Sequence, residues 1–168
     1  MTSSFPIKTF KSFLQVAYTT TDIDRAMSEF GNREGVHDYL QMRDTRLEVG
    51  SNRYAVVHFA LAWVGAIQIE LIQPLSGECD TYRWELPSTG YASRLHHLAH
   101  LIEHPWQFDS LVTEIESRHM EVALQGSAFE GNIRYIYTDH RSTLGHFVEH
   151  IWYSPAIKAE LFAKIPKN

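Results

Sequence analysis

Two strand-like stretches of this sequence carry side chains that can bind a metal ion, and they do so at matching positions. FLQVAY, near the N-terminus, contains Gln15, and LHHLAHL, in the middle of the chain, contains His97. A later strand with a glutamate among hydrophobic residues follows each stretch, so that 55 residues separate Gln15 from Glu70 and 52 separate His97 from Glu149. The sequence therefore predicts an internal duplication that supplies four metal-capable side chains.

These four side chains fall on one face of their strands when side chains alternate between faces. If the two halves pair about a pseudo-twofold axis, that face becomes the wall of a concave sheet on which the four side chains converge. Two carboxylates on an apolar wall are costly to bury unless a cation or hydrogen-bond donors compensate them. A single strand histidine is more often structural, so the prediction rests on the repetition. Imidazole with amide and carboxylate oxygens suits one divalent ion (Zn²⁺, Co²⁺, Ni²⁺ or Mn²⁺) in an open site, with Gln15, Glu70, His97 and Glu149 as ligands.

The elements needed to position these ligands follow the order β-α-β-β-β twice. Asp22 offers an N-cap for the first helix and Gly31 a stop, and Pro155 opens a last amphipathic segment. We predict an α+β fold in which two tandem βαβββ modules form a curved eight-stranded mixed sheet with an enclosed cavity, plus a C-terminal helix. Within a single domain, residues 1–168, the predicted parts are the first module at 12–75, a connecting arm at 76–93, the second module at 94–153 and the helix at 154–168.

Structural roles are the favoured interpretation of the other histidines and aromatic residues. Alternation puts four histidines on the face opposite the ligands, where a polar residue beneath a covering helix or at an interface is expected: His96, His100, His146 and His150. A further group can shape a pocket, although core packing is the favoured interpretation: Tyr39, His58, Trp63, Tyr135 and Tyr137. The arm carries large apolar side chains and can serve as a lid.

Composition excludes several classes of function. Fifteen basic and twenty acidic residues give a net charge of −5, and no cluster of Lys and Arg offers a phosphate-binding patch, so we expect no nucleic-acid partner. A single cysteine, Cys79, cannot form an internal disulfide, which fits a reducing compartment. Residues 1–11 lack the apolar core of a signal peptide, and no run approaches the roughly 20 apolar residues of a membrane span. We therefore predict a soluble, cytoplasmic protein without a membrane partner.

The motifs resemble those of the vicinal oxygen chelate superfamily, which includes glyoxalase I, methylmalonyl-CoA epimerase, extradiol dioxygenases and the bleomycin and fosfomycin resistance proteins. The resemblance spans residues 13–152 and is carried by four stretches: QVA with TDIDRA, ELIQPL, HHLA and LGHFVE. It implies that Gln15, Glu70, His97 and Glu149 occupy the positions of the family's metal ligands. The layout is most similar to the epimerase branch, whereas the ligand identities match zinc-type glyoxalase I.

The resemblance implies an enzyme that moves a proton next to a metal-bound carbonyl, namely an isomerase, epimerase or lyase. Glu70 and Glu149 would then be the two catalytic bases, with His97 and Gln15 as ligands only, and the partner would be a small carbonyl substrate. A CoA thioester, a glutathione adduct and a free hydroxy-ketone all stay open as substrates, and a homodimer is expected from the superfamily. Two alternatives remain: an extradiol-type ring-cleaving dioxygenase, and a metal-free small-molecule binding or resistance protein of the same fold.

Overall fold

Two copies of a βαβββ unit follow each other along the chain in the computed structural model, which describes residues 12–168. The first copy is β1 (Phe13–Thr20), α1 (Ile23–Glu34), β2 (Leu40–Glu48), β3 (Tyr54–Val64) and β4 (Ile67–Gly77). The connecting arm holds one short helix, α2 (Asp80–Arg83). The second copy is β5 (Ser93–Ile102), α3 (Pro105–Ser117), β6 (Val122–Ala128), β7 (Ile133–Asp139), the short helix α4 (Arg141–Leu144) and β8 (Phe147–Tyr153), and α5 (Pro155–Lys164) ends the fold. The predicted fold class is confirmed.

The eight strands close into a barrel with the order β1-β4-β3-β2-β6-β7-β8-β5. Strand β1 runs parallel to β4 and β5 runs parallel to β8, whereas β1 and β5 pair antiparallel along their whole length. The closure opposite this central pair is narrow, because β2 and β6 share the single pair Glu48 and Ser127. The Ser127 hydroxyl donates to the Glu48 carboxylate over 2.9 Å.

The pairing of β1 with β5 shows the twofold relation between the modules. Gln15 lies opposite Ala99, and Ala17 lies opposite His97. Each strand carries one extra residue, a β-bulge, immediately before its predicted ligand: Leu14 in β1 and His96 in β5. The duplication read from the sequence therefore extends to an irregularity of the backbone.

Helix α1 begins where the sequence predicts but ends later. The Asp22 side chain accepts a hydrogen bond from the Arg25 backbone N–H, as an N-cap residue does. The predicted stop at Gly31 is wrong, because the helix continues through it to Glu34. Gly35 ends the helix with a left-handed φ of 73°, a conformation that glycine adopts without steric cost.

The interior of the barrel is filled from both ends. Tyr82 of α2 is 1% exposed and belongs to the same apolar cluster as Tyr137 of β7 and Phe147 of β8. At the other end, Leu161 and Phe162 of α5 pack against that cluster. The arm is thus part of the core through Tyr82, and α5 covers the opposite opening.

Residues 1–11, on which the expectation about a signal peptide rests, lie outside the described part of the chain. Within residues 12–168, none of the helices combines the length and the apolar character that crossing a membrane requires.

Candidate metal centre

The four predicted ligands converge inside the barrel. The Nε2 atom of His97 lies 3.5 Å from a Glu70 carboxylate oxygen and 3.2 Å from a Glu149 carboxylate oxygen. Gln15 hydrogen-bonds to the Glu70 carboxylate. Each module therefore contributes one glutamate and one neutral donor, and the pairing of β1 with β5 brings the two sets together.

These side chains are withdrawn from water. His97 is fully buried, Gln15 and Glu149 are almost so, and the side chain of Glu70 is 12% exposed. Burial raises the pKa of Glu70 well above its usual value, and the nearby Glu149 carboxylate raises it further, while the Gln15 amide opposes the shift. The site is thus short of positive charge, because the groups around Glu70 do not offset the cost of ionising it.

A chain of hydrogen bonds fixes which nitrogen of His97 carries its proton. The Nε2 atom of His96 lies 2.9 Å from the Thr81 carbonyl oxygen, which can only accept, so this nitrogen is the donor. Burial lowers the pKa of His96 to about 3, with His97 adding to the shift, so His96 is neutral and its Nδ1 is an acceptor. His97 Nδ1 lies 2.8 Å from that atom and must donate to it. Since Nδ1 carries a proton, Nε2 is the ring nitrogen of His97 that can offer a lone pair.

This lone pair faces two carboxylates, which also only accept when ionised. His97 Nε2 is buried and has no hydrogen-bond partner. An arrangement of three acceptor groups calls for either a shared proton or a cation between them. A metal-bound imidazole usually donates its other ring N–H to a neighbouring acceptor, and His96 Nδ1 occupies the place of that acceptor for His97.

Two of the distances between the candidate donor atoms fit donors that share one cation. Donors at about 2.0–2.2 Å from one ion, in adjacent tetrahedral or octahedral positions, lie about 2.8–3.6 Å apart, and both His97–glutamate distances fall in this range. Across residues 12–168, however, no three His, Cys, Asp or Glu side chains are already assembled as a metal site. The donor types and two spacings therefore fit a divalent ion, and completing the site requires the carboxylates to reorient.

A cavity of about 60 Å³ adjoins the two glutamates. Apart from Glu70 and Glu149, its wall is aliphatic and aromatic, with Thr45 as the sole further polar residue besides tyrosines among the described residues that line it. Four tyrosines take part in the wall: Tyr82, Tyr135, Tyr137 and Tyr153. Burial raises the pKa of Tyr137 and Tyr153, with Glu149 adding to both shifts, so their hydroxyls stay protonated.

Comparison with known families matches residues 14–138 to the model of the Glyoxalase/Bleomycin resistance protein/Dioxygenase superfamily. The chain belongs to this superfamily. The resemblance found in the sequence motifs is thereby confirmed, as is the barrel of paired modules that it implies. No curated protein matches the chain in sequence.

Solved structures share the glyoxalase-superfamily fold at low identity. Methylmalonyl-CoA epimerase from Mycobacterium tuberculosis is 16% identical, with a TM-score of 0.57 over 88% of this chain and 91% of the other. The Streptomyces coelicolor enzyme, in complex with 2-nitronate-propionyl-CoA, is 15% identical, with a TM-score of 0.55 over 84% and 96%. A hypothetical protein from Bacillus halodurans C-125 is 14% identical, with a TM-score of 0.55 over 84% and 94%.

The candidate pocket residues of this superfamily member divide into two groups. Tyr135 and Tyr137 line the cavity. The other three lie elsewhere: the His58 Nδ1 atom accepts from the Asp44 backbone, Trp63 packs on Phe162 of α5, and Tyr39 packs outside the barrel against the α1 cluster. Tyr82 and Tyr153 line the cavity and were missed. The alternation of β8 from Glu149 points to Tyr153, whereas nothing in the sequence places Tyr82.

The predicted position of His96 on the opposite face is wrong. Its ring stacks on Tyr82 and contacts the interior residues Tyr137 and Phe147. The cause is the bulge in β5, which lets two consecutive residues turn inward. His96 therefore lies beside His97 inside the barrel, where alternation did not place it.

The other three histidines of that prediction lie on the outer face of the second module. His100, His146 and His150 line a cavity of about 510 Å³ there, beside His140. The rings of His100 and His150 stack with centroids 5.7 Å apart. Their separation from the barrel interior agrees with the alternation on β5 and β8.

Proposed function

We propose that this glyoxalase-superfamily protein is a divalent-metal-dependent enzyme that moves a proton at a carbon next to a carbonyl group, as an epimerase, isomerase or lyase does. The observation that carries the proposal is that carboxylate oxygens of Glu70 and Glu149, one from each module, both lie within 3.5 Å of His97 Nε2 at the wall of a cavity. His97 and Gln15 would hold the ion together with the two glutamates.

A divalent ion in this site would supply stabilisation of the negative charge on an enolate oxygen. Whichever of Glu70 and Glu149 leaves the ion would act on the carbon acid itself. Burial raises the pKa of Glu70, which makes it a stronger base than an exposed glutamate, and the second glutamate can return the proton. The hydroxyls of Tyr137 and Tyr153 can donate hydrogen bonds to the substrate oxygens.

Elemental analysis with solvent deuterium exchange tests this proposal. The purified protein should contain close to one equivalent of a divalent metal, and it should exchange the α-proton of a suitable carbonyl compound with D₂O. Glu70→Gln and Glu149→Gln should each slow exchange by about 10²–10⁴-fold, the usual contribution of a general base. Glu116→Gln is the control, since Glu116 is an exposed glutamate of α3 that does not line the cavity.

The two alternatives give different results in the same assay. Oxygen uptake with Fe²⁺ and a catechol would assign the site to an extradiol-type dioxygenase. Ligand binding that survives complete removal of metal, without proton exchange in any compound, would make the protein a metal-free binder. Either result would overturn the proposal.

A further inference from the structure

Among the described residues that line the cavity beside Glu70 and Glu149 there is neither lysine nor arginine, and the acidic side chains of its wall are these two glutamates themselves. A substrate carboxylate or phosphate would enter a buried space that already holds two carboxylates. Even a divalent ion would only neutralise those two, and the charge of the substrate would stay uncompensated.

The opening of the cavity is also apolar. Phe129 lines the cavity and is 46% exposed, so it reaches from the interior to the surface. Met42 of β2 and Leu161 of α5 line the cavity too and are partly exposed. We name these three residues, Met42, Phe129 and Leu161, the mouth.

The cations of the elements around the mouth are engaged elsewhere. They comprise every lysine and arginine of β2, α5 and the β6–β7 hairpin. Arg43 pairs with Asp24, Arg46 lies over the Tyr54 ring, Lys158 pairs with Glu103, Lys164 with Glu160 and Arg134 with Asp109. Within residues 12–168, a nucleotide-bearing thioester or a glutathione adduct would therefore have to displace one of these contacts to gain a charged partner at the mouth.

What the cavity offers instead suits a neutral oxygen compound. Tyr137 and Tyr153 line the cavity together with Glu70 and Glu149, and a tyrosine hydroxyl can donate to a carbonyl or hydroxyl oxygen. Phe59, Leu61 and Ile151 provide an apolar surface for the rest of the molecule. At about 60 Å³ the space is small compared with the roughly 300–1,000 Å³ of pockets for drug-sized ligands.

We infer that the substrate is a small, uncharged, largely apolar carbonyl compound, such as a hydroxy-ketone, that enters through the mouth formed by Met42, Phe129 and Leu161. The inference rests on the proposed function for the reaction, but not for the binding. It separates this protein from the structural neighbours solved with a CoA compound.

Calorimetric titration of the metal-loaded protein with matched ligands tests the inference. We expect hydroxyacetone to bind, and pyruvate, which carries a carboxylate in place of the hydroxymethyl group, to bind at least about tenfold more weakly. Methylmalonyl-CoA should bind no better than pyruvate. A thioester that binds more tightly than the neutral ketone, or failure of the neutral ketone to bind at all, would overturn the inference.

A cation placed at the mouth should reduce the preference for the neutral ketone over the carboxylate. Phe129→Lys, at an exposed position that tolerates a charge, should narrow the ratio of the two dissociation constants by about fivefold through attraction of the carboxylate. Trp106→Lys is the matched control, because Trp106 is 60% exposed on α3 and does not line the cavity. An unchanged ratio in Phe129→Lys, with an unchanged circular dichroism spectrum, would show that the mouth lies elsewhere.

The outcome is distinguishable from failure of the proposed function. Tight neutral binding without proton exchange would retain the inference and reject the reaction. Proton exchange confined to methylmalonyl-CoA would retain the reaction and reject the inference.

Discussion

The two modules carry the same bulge before their candidate ligand but place different residues in it. In β1 the extra residue is Leu14, which is buried in the apolar core cluster ahead of Gln15. In β5 it is His96, equally buried, which bonds the ring of His97 on one side and the Thr81 carbonyl on the other. The backbone is duplicated, and the chemistry of the bulge residue is not.

The difference shows what the histidine adds. Leu14 shows that an apolar side chain satisfies the packing at a bulge of this kind, so packing alone does not require imidazole in β5. An imidazole ligand has two nitrogens and needs a neighbour to fix its tautomer, whereas the amide of Gln15 does not. We therefore propose that His96 positions the ring of His97. Substitutions at the two bulges test this difference between the modules.

Removal of the candidate ligands themselves should give the largest difference in metal affinity between the modules. His97→Ala deletes the nitrogen donor, and we expect metal affinity to fall by well over the 10–100-fold that is typical for loss of an outer partner. Gln15→Ala deletes a neutral oxygen donor and should stay within about that range. Competition titration with a chromogenic chelator measures both. Equal losses would show that the two halves share the ion evenly.

The sequence predicts that the four candidate ligands lie together because they follow regular alternation. Gln15, Glu70, His97 and Glu149 each lie in a strand whose apolar partners mark the inward face, and repetition at similar spacing marks them as a set. Alternation placed His96 on the wrong face for a physical reason. A bulge adds one residue to the strand and reverses which face the side chains beyond it point to.

The end of α1 and the burial of the arm were not predicted from the sequence for similar physical reasons. Gly31 did not end α1, because a glycine inside a helix costs only about 1 kcal/mol relative to alanine and packing can outweigh that. The burial of Tyr82 depends on tertiary contacts with His96 and Tyr137, which local pattern does not encode. Closure of the barrel depends on one pair, Glu48 with Ser127.

Metal removal should reveal the charge imbalance that both modules create together. In the metal-free protein the pKa of Glu70 lies above its ordinary value of 4.5, so its contribution to stability is present at acidic pH and is lost as pH rises through the raised pKa. An ion needs the ionised glutamates, so its stabilising effect should grow with pH and reach about 2.7 kcal/mol at a hundredfold excess over its dissociation constant.

Urea unfolding of metal-free and zinc-loaded protein at pH 5 and pH 7.5 measures this effect. Glu70→Gln is the control, because it should flatten the pH dependence of the metal-free protein. A metal-free protein that grows more stable between these pH values, with no such change in Glu70→Gln, would contradict the assignment of the shift to Glu70.

Replacement of His96 by the residue of the other module tests the comparison directly. His96→Leu should preserve the fold, because Leu14 occupies the equivalent bulge, and should lower metal affinity by about 10–100-fold, because the tautomer of His97 is no longer fixed. The readouts are chelator competition and the ¹⁵N chemical shifts of the His97 ring, which report the tautomer. A variant with unchanged shifts and unchanged affinity would show that His96 serves packing alone.

The reciprocal substitution should have the smallest effect on metal binding. Leu14→His buries an imidazole ahead of Gln15, so it should destabilise the fold by about 1–3 kcal/mol, the usual range for a buried polar group without a partner. Metal affinity should change by less than about twofold, because the amide of Gln15 has no tautomer to fix. If Leu14→His weakened metal binding as much as His96→Leu does, the bulge would act by placing the strand, and the distinction between the modules would lie in packing rather than in proton position.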